Sequence, residues 1–438
     1  MKRCIDKYPT LSSIVRNSHT DEAFFECVST IDLNEHILFA EALHSELPAS
    51  QTEEADDIKN FEKLLPSVAD QRWEAARPPW KLVVLPLAPL DFQGQNLGRC
   101  FVSFAFSHAL GDAISAVAFL RTLGDGMYDH FNEDNSTVST PTDGLPAPFD
   151  TPENLPITWG FLLRPLVAVL LPKFIAEMLG LRATASTVTP DTWIGTRMFF
   201  EPEKFHTCVK LVEIQGSKVE ALLRIGRQNG AKLTAMIHQS LVRGLSKEIP
   251  RNKASNFVSG TAVNMRRAIG KSNDDVGLFV NAWYNSHHRE DEWSAFWSEN
   301  TWENARLLTQ KLAECAITLE DQAVGLLRYA PSIRKWTAAK MGQERDSSYE
   351  ISNLGSFDVA GGHDQTDGAK CRIAKLVFAH SANATSSPFT LSVVSVKGGN
   401  MVISFVWQPG ALGLALGLEQ EFIERLSTFV KEDLEKLV

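Results

Sequence analysis

Four histidines in this 438-residue chain stand four positions ahead of an aspartate: His108/Asp112, His130/Asp134, His287/Asp291 and His363/Asp367. Imidazole is the side chain best matched to taking a proton near neutral pH, which is general-base chemistry on a hydroxyl or amine. The spacing alone carries little, since 11 histidines produce about half a match by chance. The neighbours decide. His130 opens a polar stretch, and His287 lies in His-His-Arg-Glu-Asp-Glu, read as a solvated charged turn with a divalent-metal site as the alternative. His363 sits in Gly-Gly-His-Asp-Gln-Thr-Asp-Gly, read as an exposed hairpin loop. Only His108 ends an apolar strand pattern, Val102, Phe104 and Phe106 alternating with Ser103, Ala105 and Ser107, and precedes an apolar helix from Ala113. Gly111 permits the tight turn between them. A strand end holds a side chain rigidly, so His108 is the candidate base.

Competing chemistry is absent from the sequence. There is no GxGxxG, Walker A, GxSxG or HExxH pattern, and no metal site is expected. With 43 Lys+Arg against 53 Asp+Glu the formal charge is −10, which excludes a general nucleic-acid binder. Six well-separated cysteines without a CxxC pair fit the reduced thiols of a cytoplasmic protein. The N-terminal run to Ser18 has no apolar core, so no secretory signal is expected.

The elements that must position His108 follow from periodicity. Strands are predicted over Lys81–Leu87, Arg99–Phe106, Val209–Ile214, Asn256–Val263, Val276–Tyr284, Ala374–Phe378, Thr390–Val396 and Met401–Trp407. Helices are predicted over Ala113–Leu123, Lys218–Gln228, Thr234–Ser246, Glu292–Leu312 and Glu419–Leu437. Lys-Gly-Gly-Asn between the last two strands signals a hairpin. The class is therefore α/β or α+β, and the length calls for two lobes. Residues 132–156, rich in Pro, Ser, Thr, Asp and Asn, read as a surface linker. The longest apolar run in Trp159–Met178, Leu166 to Leu171, is too short to cross a bilayer. Arg164, Pro165, Pro172 and Lys173 break the segment into buried or amphipathic helical turns, with membrane-surface contact as the alternative.

Ser107-His108-Ala-Leu-Gly-Asp112 resembles the His-His-x-x-x-Asp-Gly motif of the chloramphenicol acetyltransferase-like superfamily, which includes BAHD acyltransferases, peptide-synthetase condensation domains and fungal alcohol acetyltransferases. Thr261-Ala-Val-Asn-Met-Arg266-Arg267 is similar to the strand that supplies an arginine to the motif's aspartate. Ile351-Ser352-Asn353-Leu354-Gly355 and the closing pair Phe389–Trp407 resemble the alcohol acetyltransferase branch. Ser107 replaces the first histidine and Ala113 the final glycine; the histidine that does the chemistry in the family matches His108.

The resemblance implies two chloramphenicol acetyltransferase-like lobes, each a mixed sheet with flanking helices, and an active site in a tunnel between them. The lobes are placed at 1–185 and 186–438, with the segment around 350–400 crossing back to the first. It implies direct transfer of an acyl group, acetyl in the first instance, from acyl-CoA to the hydroxyl of a small hydrophobic or secondary-metabolite acceptor, without an acyl-enzyme. His108 is the implied base, Asp112, Arg266 and Gly111 its structural support, and Ser352 and Asn353 the candidate oxyanion donors. Trp283, on the strand with Asn281 and Tyr284, is read as either acceptor lining or core. Acyl-CoA is expected as co-substrate with no permanently bound cofactor. A monomer is expected, with no transmembrane segment; an amine acceptor, a carrier-protein donor and a non-catalytic binding module of the same fold are the alternatives.

Overall fold

The strand ahead of His108 forms as its alternation requires, and the helix after it follows immediately. The computed structural model describes residues 1–40, 53–92, 95–126, 136–141, 144–172, 175, 178–179, 185–290, 294–358, 373–415 and 417–438. They group into two compact units.

The first unit comprises the described residues of Met1–Ala147, Asn273–Leu278 and Asp358–Ile373. It contains α1 (Lys2–Lys7), β1 (Ser13–Arg16), β2 (Phe24–Cys27), β3 (Thr30–Asp32), β4 (Ile37–Phe39) and α2 (Glu53–Ala69). β5 (Trp80–Phe92), β6 (Gln95–Phe106), α3 (Ala113–Gly126) and β7 (Thr137–Ser139) follow. β4, β5 and β6 form one sheet, parallel between β4 and β5 and antiparallel between β5 and β6, while β1–β2 and β3–β7 are separate pairs. Aromatic packing fixes the end of β6. Phe104 stacks on Phe119 of α3 at 3.7 Å and on Phe106 at 4.9 Å, and the buried Trp80 donates its indole N–H to the Leu11 carbonyl at 2.7 Å. Cys4, Ile5 and Tyr8 close the same core from the N-terminus.

The second unit comprises the described residues of Pro148–Ser272, Phe279–Phe357 and Ala374–Val438. Its elements are α4 (Trp159–Leu170), β8 (Cys208–Ile214), α5 (Gly216–Gln228), α6 (Leu233–Glu248), β9 (Asn256–Asn264) and β10 (Val280–His288). Then come α7 (Glu299–Cys315), α8 (Ile333–Ala339), β11 (Tyr349–Phe357), β12 (Phe389–Val396), β13 (Met401–Trp407) and α9 (Leu418–Glu435). The six strands run β10-β9-β11-β12-β13-β8, with β11 parallel to both neighbours. The apolar stripes of α6 (Ile237, Leu241, Leu245) and α9 (Ile423, Leu426, Val430) share one core with Ile351, Leu391, Ile403 and Phe405 of the sheet. Lys397–Asn400 turns β12 into β13, with Gly398 at φ 73°.

Several elements depart from the sequence reading. Ala374–Phe378 is irregular chain, not a strand. The strand predicted at Val276–Tyr284 begins at Val280 and continues to His288, and the helix predicted from Glu292 begins at Glu299, capped by Ser298. Trp159–Leu170 is one continuous helix that runs through Pro165 instead of breaking there, started by the Thr158 hydroxyl accepting the Phe161 N–H, with Trp159, Leu163, Val167 and Leu170 exposed. Among the described residues no helix is long and apolar enough to cross a membrane.

Candidate active site

His108, Gly111 and Asp112 belong to the first unit; Arg266, Trp283, Ser352 and Asn353 belong to the second. The turn after β6 explains the first set. Ser107 N–H donates to the Pro79 carbonyl at 2.8 Å, and the Ser107 carbonyl receives the Leu110 N–H at 2.9 Å. Leu110 is buried in the aromatic core, so both ends of the turn are anchored while His108 at its crest is exposed. The Ser107 hydroxyl accepts the Ala109 N–H at 3.4 Å, so the serine that replaces the family's first histidine helps shape the turn.

Asp112 is buried and acts as the N-cap of α3. Its Oδ1 accepts both the Ser115 N–H and the Ser115 hydroxyl at 3.0 Å. The Ser115 hydroxyl also binds Gly277: it donates to the carbonyl at 2.9 Å and lies 3.1 Å from the N–H. The cap matches Asp-Ala-Ile-Ser, a helix-start signal in the sequence. Gly111 is required for a reason other than turn freedom. Its φ is not positive; a Cβ there would stand 2.9 Å from Ser115 Cβ and Oγ.

In the second unit, Arg266 follows β9 in a short 3-10 turn, not on the strand itself. Its buried guanidinium donates to Asn264 Oδ1 at 3.3 Å and lies 4.7 Å from the centre of the Phe279 ring. Ser352 and Asn353 sit at an irregularity of β11, where the register against β12 shifts between Asn353 and Ser356 and Gly355 has φ 81°. Asn353 Oδ1 accepts the Gly355 N–H at 2.8 Å and Nδ2 donates to Thr234 Oγ1 of α6 at 3.0 Å. Asn353 therefore turns toward the helix layer. Ser352, alternating with it along the strand, presents its half-buried hydroxyl on the opposite side, with Glu350. Trp283 is half-buried against the core around Phe149, Met265 and Phe279, with its indole N–H buried and unpartnered. Asn281 donates to Gln322, which accounts for it structurally.

His287 is not in a charged turn. It occupies β10, buried, with Nε2 2.9 Å from Ser259 Oγ, and its ring stacks against His238 at 5.6 Å. His238 Nδ1 and Nε2 lie 3.1 Å from Tyr349 Oη and Thr261 Oγ1. Burial pushes the pKa of His287 down to about 4 and that of His238 well below its ordinary value, so both rings are neutral. The sequence does not announce this cluster because His238, His287 and the Ser259/Thr261 pair of β9 come from three separate elements. His130, Asp134, Asp291, His363 and Asp367 lie outside the described residues, as do residues 359–372 of the segment around 350–400 expected to cross back.

The chain is thus mixed α/β, with an exposed histidine held just past the end of β6. Residues 5–413 match the alcohol acetyltransferase family, and the chain belongs to it. It is an acyltransferase of the chloramphenicol acetyltransferase-like fold. Among curated relatives, it is 22% identical over 98% of its length to 82% of the probable alcohol acetyltransferase FCK4 of Fusarium pseudograminearum. It is also 22% identical to the probable alcohol acetyltransferase crmB of Aspergillus fumigatus, over 98% of this chain and 88% of that protein. The solved structure of the trichothecene 15-O-acetyltransferase TRI3 of Fusarium sporotrichioides has the same fold, at TM-score 0.58 and 12% identity, covering 99% of this chain and 84% of that one.

Proposed function

We propose that the protein transfers an acyl group, acetyl in the first instance, from acyl-CoA to the hydroxyl of a small hydrophobic alcohol, with His108 as general base. The observation that carries this reading is the turn Ser107–Leu110, which leaves one imidazole exposed while both flanks are anchored. The alcohol oxygen attacks the thioester carbonyl carbon as His108 takes its proton. The tetrahedral intermediate collapses with cleavage of the carbon–sulfur bond, and the departing thiolate recovers the proton from the imidazolium. Ester and free CoA leave; no acyl-enzyme forms.

The oxyanion needs a donor that is free to point at it. Asn353 has its side-chain oxygen and one amide N–H committed to Gly355 and Thr234, so Ser352 is the donor of choice. Asp112 and Arg266 serve as positioning residues. The acceptor class is supported by the names of the fungal relatives, both given as probable alcohol acetyltransferases. The test is CoA release from an acyl-CoA panel, with and without hydrophobic alcohols, beside amines and a carrier-bound acyl donor. Alcohol-dependent release is the expected result; turnover confined to the amine or carrier-bound arm would replace this reading.

A further inference from the structure

α4 leaves its most hydrophobic side chains in water. Trp159 is 77% and Leu170 82% exposed, and Leu163 and Val167 between them are also exposed. The spacing 159, 163, 167, 170 places all four along one helix face. The start of this helix is pinned to a second segment of the same kind. Asp321 accepts the Thr158 N–H at 2.8 Å and the Thr158 hydroxyl at 2.9 Å, and a Cβ on Gly325 would stand 2.9 Å from Ile157 and 3.3 Å from Leu155. From that junction the chain runs through Tyr329 to α8, where Tyr329, Ile333 and Trp336 are exposed.

Charge selects what covers this surface. The whole chain is acidic at −10, yet residues 154–176 contain Arg164 and Lys173 and no acidic residue. Residues 322–343 contain Arg328, Arg334, Lys335 and Lys340, again without an acid. Lys340 is committed to Asp346 and to the Trp336 ring, and Arg328 to the Asp150 and Leu155 carbonyls; Arg164, Arg334 and Lys335 are exposed. Tryptophan and tyrosine beside aliphatic side chains and solvent-facing cations are the composition that settles at the boundary between lipid headgroups and acyl chains.

We propose that α4 and the Tyr329–Trp336 segment form a peripheral binding surface for an anionic bilayer, lying in the interface without crossing it. The surface would bring the enzyme to where hydrophobic acceptors partition, and it is independent of the proposed chemistry at His108. The test is cosedimentation of the purified full chain with vesicles of phosphatidylcholine plus phosphatidylserine, and with phosphatidylcholine alone. Binding to the anionic vesicles is expected, falling with salt. Arg334→Ser combined with Lys335→Ser should weaken it roughly 25-fold, since each cation near an anionic surface contributes about fivefold. Leu163→Ser with Val167→Ser should abolish it while circular dichroism and turnover of a water-soluble alcohol are unchanged. Phe39→Ser, which removes an exposed ring in the other unit, should leave it intact. In the unmutated protein, brominated lipid should quench a fraction of tryptophan emission that falls in Trp159→Leu and disappears when Trp336→Leu is added. Absence of anionic-vesicle binding at low salt, indifference to the Leu163/Val167 change, or a self-associated protein that the same change converts to monomer would each overturn the proposal.

Discussion

Asp112 and His287 show how far a single residue could be read. Asp112 is legible in the sequence as a support of the site, and in the fold it also caps α3 through Ser115. Replacing it with alanine should destabilise the protein by about 0.5–2 kcal/mol, the usual cost of losing such a cap, read as a lower midpoint in urea. Full stability in Asp112→Ala would remove the capping role. His287 was misread because charged neighbours dominate its segment; strand alternation puts His288 outside and His287 inside, against Ser259. The two buried histidines make a pH prediction. Their folded pKa values lie below the ordinary value of about 6.5 that the unfolded chain restores, so the unfolded state binds more protons. Stability is thus complete above about pH 6.5 and declines as the pH falls toward 4. Thermal midpoints across pH 4–8 measure this, and a flat profile below 6.5 would contradict the neutral assignment.

Elements with one clear period were legible and those set by long-range packing were not. β6, α3, α6, β12, β13 and α9 follow their patterns closely because each has a single apolar face or a fully buried run. The short strands β1 to β4 carry too few residues for a period, and Ala374–Phe378 has strand composition without a ladder partner among the described residues. Pro165 argued for a break, yet α4 continues through it with one intrahelical hydrogen bond forgone. Between β6 and α3 the decisive contact is Gly111 on Ser115. Gly111→Ala should force that contact apart and cost about 1–3 kcal/mol, the range for overpacking, while also reducing acyl transfer by displacing the turn. A variant as stable and as active as the parent would show that the turn has slack.

At the scale of the molecule, two units follow from chain length, but the pieces of each are interleaved along the sequence in a way that composition does not announce. The second unit carries a buried charge network that periodicity also hides. Arg243 meets Asp433 at 3.2 Å and Glu290 at 2.9 Å, and Asp433 further accepts Ser240 Oγ and Trp297 Nε1, each at 2.9 Å. Truncating Asp433 to alanine should cost about 3–5 kcal/mol because Arg243 would lose a buried counter-charge, without touching the chemistry. A denaturation midpoint equal to the parent's would show that Glu290 alone suffices. The central claim is that one exposed histidine at a strand end does the proton transfer. It is tested most directly by the rate of acetyl transfer from acetyl-CoA to a hydrophobic alcohol in His108→Ala, with circular dichroism and CoA binding as controls. The account predicts a fall of about 10²–10⁴-fold with fold and CoA binding retained. Activity within a few-fold of the parent, above all together with its loss in His363→Ala, would contradict it.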